Sequence, residues 1–267
     1  MRIIDAHIHT NFNKKKLADI ARINKISFSL KGLKEEMQKN NVANVVSITD
    51  HFELETPIAL KEITAQCKAL SSIIPCVGIN PDKISKESLK KTEEAIKKGK
   101  IKALKIYLGY YHRYVNDKAY HQFYRLAAKY SIPVIIHTGD TLSENAKLKY
   151  TSPLSVDDVA VEFRGTNFII AHIGNPWIED AAAVVYKNPN VYADLSGLII
   201  TGSPLEKRLS KRLKNAFYYI DDPSKLLYGS DWPIVSMKKY IRFIKKSIPA
   251  KYHKNIFYLN AKTLFRI

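Results

Sequence analysis

Polar and apolar positions alternate at the start of the chain. In RIIDAHIH, residues 2–9, Ile3, Asp5, His7 and His9 fall on one side and Ile4, Ala6 and Ile8 on the other. A period of two is that of a β-strand, so the pattern predicts a strand whose two histidines point the same way. Seven further short apolar runs follow, at residues 42–48, 73–79, 101–109, 133–137, 168–172, 191–195 and 226–230. A polar loop at 10–16 leads into a helical region ending near residue 41. Helices are then predicted over 58–70, 86–100, 120–130, 155–163, 178–186 and 205–218, with closing helical portions at 237–247 and 260–265.

Eight short strands, each followed by a helix, build a parallel sheet, because helical crossovers return the chain to run in one direction. The fold class is therefore α/β. Eight repeats favour closure into a (β/α)8 TIM barrel over an open doubly wound sheet. No glycine-rich phosphate fingerprint follows the first strand, which removes the main support for a dinucleotide-binding fold. With no Gly/Ser/Pro-rich linker, composition break or internal repeat, residues 1–267 read as one domain, a length usual for such barrels.

Composition changes this picture little. A hydrophobic fraction of 46% with 25% charged residues suits a globular core and excludes a mainly disordered chain. The formal net charge of +18 raises a polyanionic partner, nucleic acid or a membrane surface. The lysines are scattered over what read as outer helices, however, and the arginine clusters that suit phosphate are missing, which argues against nucleic acid. Cys67 and Cys76 form no disulfide framework and fit reduced thiols. The chain opens directly into a strand, with no leader pattern and no apolar run of membrane-spanning length. The expectation is a cytoplasmic protein acting on a small molecule; oligomeric state has no signature here.

In a barrel the active site lies at the carboxyl ends of the strands. The polar residues fall there: His7 and His9 on strand one, Asp50 and His51 after strand two, and Lys105 and Tyr107 late in strand four. His137, His172, Asp194 and Asp231 sit at the ends of strands five to eight. Five of the eight histidines are on this list, and a structural histidine has no reason to prefer that end. Two imidazoles two residues apart on a strand can reach one ion, and neutral imidazoles suit zinc and its borderline neighbours. Each residue also has a structural use. A lone His137 or His172 can be satisfied by backbone, Asp231 can cap the following turn, and Lys105 can bury its stem with its ammonium solvated.

The ordered motifs IIDAHIHT, IIHTGD, IIAHIGNP, VYADLSG, LYGSDWP and LNAKTLF resemble the amidohydrolase superfamily across nearly the whole chain, in the branch of metal-dependent hydrolases and decarboxylases that includes aminocarboxymuconate semialdehyde decarboxylase. The resemblance implies that His7, His9, His137 and Asp231 hold one divalent metal, most simply zinc, with a water completing the site. It implies Asp231 as general base and His172 as the group that polarises a substrate carbonyl or steadies an oxyanion. Lys105 would meet an anionic substrate group or, if carboxylated, bridge two metals. His112, Arg113 and His51 are further candidates for the substrate wall, and Asp5 and Asp194 for orienting a ligand histidine.

The implied reaction is hydrolysis of a C–N, ester or lactone bond in a small carboxylated molecule, with non-oxidative decarboxylation as the alternative in the same site. DAHIHT with SITDH is also similar to the opening of the PHP phosphoesterases, although that family would place a histidine after Asp231 where this chain has Trp232. TatD-type nucleases place a glutamate on strand four, where this chain has Lys105. A catalytically silent barrel used as a binding scaffold is the reading from outside the enzymes.

Overall fold

The computed structural model describes residues 1–49, 56–198 and 204–267. Its strands are β1 (Ile3–His9), β2 (Val42–Ile48), β3 (Ile73–Gly78), β4 (Ala103–Ile106), β5 (Val134–Ile136), β6 (Phe168–Ile170), β7 (Val191–Asp194) and β8 (Leu226–Leu227). They pair in parallel in the order β1 to β8. The sheet closes on itself through backbone bonds of 2.8 Å from Ala6 to Tyr228, from Asp231 to His7 and from His9 to Trp232. The result is the (β/α)8 barrel expected from the eight repeats.

Around it lie α1 (Lys15–Ile23), α2 (Leu30–Lys39), α3 (Thr56–Ala69), α4 (Lys86–Lys97), α5 (Lys118–Tyr130), α6 (Ser155–Glu162), α7 (Ile178–Lys187), α8 (Pro204–Ile220), α9 (Met237–Ser247) and α10 (Asn260–Phe265). Several start where a side chain satisfies an otherwise unpaired N–H of the first turn. Ser29 accepts from Gly32, Asp117 from Ala119 and Ser236 from Lys239, while Ser85 and Ser88 cap α4 reciprocally. The helical region expected up to residue 41 consists of two helices, α1 and α2. Only Leu17 and Ala21 of α1 are buried, too sparse an apolar stripe to stand out in the sequence.

The core has two layers. Ile4, Ala6, Ile48, Ile74, Cys76, Ala103, Ile135, Ile169 and Leu227 pack with Ala261, Leu264 and Phe265 of α10, which plugs one end of the barrel. Ile3, Ile8, Val45, Leu104, Val134 and Phe168 pack outward against the helices. Ile8 therefore does not share a side with Ile4 and Ala6, as strict alternation required. Asp5 pairs with Val45 and Ile8 with Ser47, so β1 takes three steps where β2 takes two. That extra residue is a β-bulge, and it shifts the alternation between Ala6 and Ile8.

The segment after β8 is held from outside the barrel. Trp232 is fully buried beside Phe28, with ring centroids 5.4 Å apart, and its Nε1 donates to Glu36 of α2. Glu36 also accepts from the Met237 backbone N–H at 2.8 Å, and Asn24 donates to the Ile234 carbonyl. Burial raises the Glu36 pKa, an effect partly offset by those two hydrogen bonds.

Phe168, at the entry of β6, is fully buried and meets Tyr124 of α5 edge-on at 5.2 Å. Phe168→Ala is expected to cost about 3–5 kcal/mol, the range for deleting a core phenyl ring. Denaturant titration checks this, and a loss under about 1 kcal/mol would contradict the two-layer packing.

Candidate metal centre

The strands deliver their polar residues to one end. His9, Lys105, His137, His172 and Asp231 line a cavity of about 1010 Å³. His7 lies just beneath, fully buried, with its ring centroid 5.4 Å from that of His9 and 4.8 Å from that of His172. His137 stands 5.1 Å from His172 on the same basis. In spite of the bulge, His7 and His9 turn to one side, and both Nε2 atoms face Asp231 Oδ1, at 3.9 and 3.3 Å.

Proton counting fixes the imidazoles. His7 Nδ1 lies 2.9 Å from Asp194 Oδ2. Burial, with the nearby Lys105 charge, lowers the His7 pKa to about 4, so the ring is neutral and its one proton sits on Nδ1 toward the carboxylate. The Nε2 lone pair is left facing the cavity side. His172 is fixed through a hydroxyl. Ser196 Oγ donates to Asp194 Oδ1, so toward His172 Nδ1, 2.9 Å away, it can only accept. His172 therefore carries its proton on Nδ1 and a lone pair on Nε2. Steadying an oxyanion from Nε2 requires a second proton on this ring, whereas accepting a proton does not. His137 differs. Its Nε2 donates to the Asp140 carbonyl at 3.0 Å, which leaves the lone pair on Nδ1. Burial holds its pKa well below the usual range.

Asp194 is thus the hub. Besides the two side chains it accepts from the backbone N–H groups of His172 and Ser196, both at 3.0 Å. Burial would raise its pKa, but His7, His172 and Ser196 together hold it well below the usual carboxylate range. Asp231 is also held below the usual carboxylate range, the adjoining His9 ring outweighing its burial. Asp5 does a different job from the one expected of it. Its Oδ1 accepts from the backbone N–H groups of His7 and Ser230, tying β1 to the segment after β8. Burial lifts the Asp5 pKa to about 7.

Among the described residues, the donor atoms of His7, His9 and Asp231 lie within 4.8 Å of one another, as do those of His7, His172 and Asp194. In the second group His7 is already bonded to the carboxylate, so the first has the free lone pairs. His137 belongs to neither. Seven buried side-chain polar atoms in the described residues have no hydrogen-bond partner, and four are His7 Nε2, His9 Nδ1, Lys105 Nζ and Asp231 Oδ1. An unpaired buried polar atom costs about 1–3 kcal/mol, so four in one place mark a site built for something else to bind. Lys105 is fully buried, and its ammonium is not solvated as the structural alternative would have it. Burial lowers its pKa to about 8, against the attraction of Asp194, and its Nζ lies 5.3 Å from the Tyr107 ring.

His112 and Arg113 do not join the cavity wall. His112 Nε2 meets the Asn145 carbonyl, and the Arg113 guanidinium is taken by Asp82 and Asp117 at 2.8 and 3.0 Å. His51, with Asp50, lies outside the described residues. Ser196, Gly197 and Gly229 were not singled out as site residues, although they stand in VYADLSG and LYGSDWP. A Cβ at Gly197 would come within 2.7 Å of His172 Nδ1 and 2.9 Å of Asp231 Oδ2. One at Gly229 would come within 2.9 Å of the His7 Cβ. His172 and Asp231 themselves take φ of 59° and 61°, a left-handed conformation that non-glycine residues adopt at a cost where the surroundings impose it.

The sequence matches the amidohydrolase family over residues 4–267. No curated protein matches it. Among solved structures it is similar to an uncharacterised TIM-barrel protein from Bordetella bronchiseptica, at 18% identity and a TM-score of 0.77, covering 100% of this chain and 99% of that one. It is also similar to 5-carboxyvanillate decarboxylase from Sphingomonas paucimobilis, at 13% identity, a TM-score of 0.70 and coverage of 100% and 99%. A third is dihydroxybenzoic acid decarboxylase from a Polaromonas species, which holds manganese and the inhibitor 2-nitroresorcinol, at 13% identity, a TM-score of 0.70 and coverage of 99% and 97%. At these identities the structural likeness is one of fold. The family match runs from the first barrel strand to the final residue, and the chain belongs to the amidohydrolase family.

Proposed function

We propose that this chain is a metal-dependent enzyme that hydrolyses a C–N, ester or lactone bond in a carboxylated small molecule. The observation that carries the reading is the bare Nε2 of His7, backed by Asp194 through Nδ1 and grouped with His9 and Asp231. A carboxylate behind a histidine is the usual support of a metal-ligating imidazole. His7, His9 and Asp231 would hold the ion, joined by His137. Zinc suits the imidazole-rich donor set, and manganese is the ion of the Polaromonas enzyme. When bound, the ion supplies Lewis acidity, polarising a substrate oxygen and making a water acidic enough to ionise near neutral pH.

The protein residues then divide the remaining work. Asp231, ionised, takes the proton from the attacking water and passes it to the leaving nitrogen or oxygen as the bond to carbon breaks. His172, neutral with a bare Nε2, is the second acceptor, and once protonated it can donate to the oxygen of the substrate. The Lys105 ammonium, buried and without a hydrogen-bond partner, meets the substrate carboxylate.

Non-oxidative decarboxylation in the same site is the second reading. It is supported by the two decarboxylases of similar fold and by Lys105, which would draw a carboxylate to the floor beside the ion. The phosphoesterase alternative draws on DAHIHT with SITDH; Asp50 and His51 of the second motif lie outside the described residues, and the family match adds nothing to it. We read residues 1–267 as a single catalytic domain.

Metal-replete protein is expected to retain one divalent ion per chain after dialysis, and Asp194→Asn to weaken metal affinity by about 10- to 100-fold. Competition against a chromogenic chelator measures this, and unchanged affinity would remove Asp194 as the support. A panel of amides, esters, lactones and aromatic acids, followed by product analysis and CO2 release, separates the two reactions. On the active substrate, Lys105→Met should lower kcat/KM by about 10- to 150-fold, mainly through KM, as loss of a hydrogen bond to a charged group does. An effect on kcat alone would contradict the carboxylate role.

A further inference from the structure

The cavity does not end at its polar floor. Ligand pockets usually run from about 300 to 1,000 Å³, so a volume of about 1010 Å³ is at the upper end and far exceeds what an ion and a short acid would fill. Beyond His9, Lys105, His172 and Asp231 the wall sets a group of aliphatic side chains among polar ones such as Thr141, Ser143, Asn145 and Asn175. Leu17 comes from α1, Leu142 and Leu148 from the loop after β5, Leu209 from α8 and Ile234 from the segment after β8. Leu17, Leu209 and Ile234 are buried, but Leu142 and Leu148 are 41% and 46% exposed.

Single exposed leucines are ordinary on a protein surface. These two are set apart by being held in place on a concave wall. The Leu142 backbone N–H donates to the Tyr110 hydroxyl at 3.0 Å, and its carbonyl accepts from the Lys16 ammonium. Tyr110 and Lys16 both line the same cavity. Leu148 opens a 3-10 turn, just after the Lys147 N–H bonds the Gly109 carbonyl at 2.9 Å. The loop is thus pinned with its leucines toward the cavity, where they gain from burial only when a ligand covers them. The other charged groups of the lining, Lys14, Lys16, Asp140, Glu144 and Glu206, are of mixed sign, so the upper wall has no dominant charge for a second ionic group.

We infer that the substrate is an amphiphilic acid, its carboxylate toward Lys105 and an extended apolar body lying against Leu17, Leu142, Leu148, Leu209 and Ile234. This rests on the proposed role of Lys105 at the floor, and it adds the class of molecule the upper cavity selects.

The test uses metal-replete protein and calorimetric titration with butanoate, hexanoate, octanoate and decanoate below their aggregation concentrations. Affinity should rise by about two- to fourfold for each added methylene, the upper figure being full transfer out of water, with one site per chain. Leu142→Asn and Leu148→Asn, both at exposed positions that tolerate polar side chains, should weaken octanoate at least fivefold more than butanoate. A flat series in the wild-type protein, or a slope that neither variant changes, would overturn the proposal. Lys105→Met separates the two readings. If it weakens every acid by the same factor while the wild-type series is flat, the floor assignment stands and the apolar wall fails. If the slope persists and Lys105→Met changes nothing, the wall stands and the floor assignment fails.

Discussion

One carboxylate, Asp194 at the end of β7, holds the chemistry of this barrel in register. Its Oδ2 takes the proton of His7 from β1, while its Oδ1 takes the Ser196 hydroxyl and, through it, orders His172 after β6. Two rings far apart in sequence, ordered by a carboxylate from a third strand, therefore present lone pairs rather than protons toward a common space. A neutral imidazole can point either nitrogen at a ligand, and only a hydrogen bond on the far side chooses between them. Here the chooser is buried, ionised and saturated with donors, so the choice is rigid.

The barrel makes that arrangement affordable. The backbone bonds that close it, Ala6 to Tyr228, Asp231 to His7 and His9 to Trp232, run through the same residues that carry the donor atoms. The bulge in β1 lets Ile8 pack outward while His7 and His9 stay near Asp231, so core packing and site geometry do not compete for one alternation. Glu36 and Asn24 then fix the Trp232–Ile234 segment from the helix side, which steadies the left-handed turn at Asp231. Glycines 197 and 229 provide the close approach that side chains would block.

Much of this was legible in advance. Each strand shows as a short apolar run bounded by helical spacing, and the boundaries of β2, α9 and α10 coincide with the pattern. The strand ends also named His9, Lys105, His137, His172 and Asp231 as residues of one cavity, with His7 just beneath it, because a parallel barrel sends every such end to the same face. What the pattern could not show was anything that depends on contact across the barrel. The bulge leaves no mark in a string of alternating letters. The pairing of Asp194 rather than Asp5 with the His7 ring depends on which strand curls closer. The capture of Arg113 by Asp82 and Asp117 removes it from a role that its charge alone suggested. Ser196 was hidden for a similar reason, since a serine in a loop carries no signal until its two partners are seen.

The central claim is that His7, His9 and Asp231 share a cation. Diffraction from crystals of the zinc-loaded protein, recorded on both sides of the zinc absorption edge, tests it most directly. The account predicts a single strong anomalous peak within bonding distance, about 2.0–2.2 Å, of His7 Nε2, a His9 nitrogen and an Asp231 oxygen, with His7 Nδ1 still bonded to Asp194. A peak lying elsewhere in the barrel, or His7 turned away from the ion with Asp194 unpaired, would contradict it.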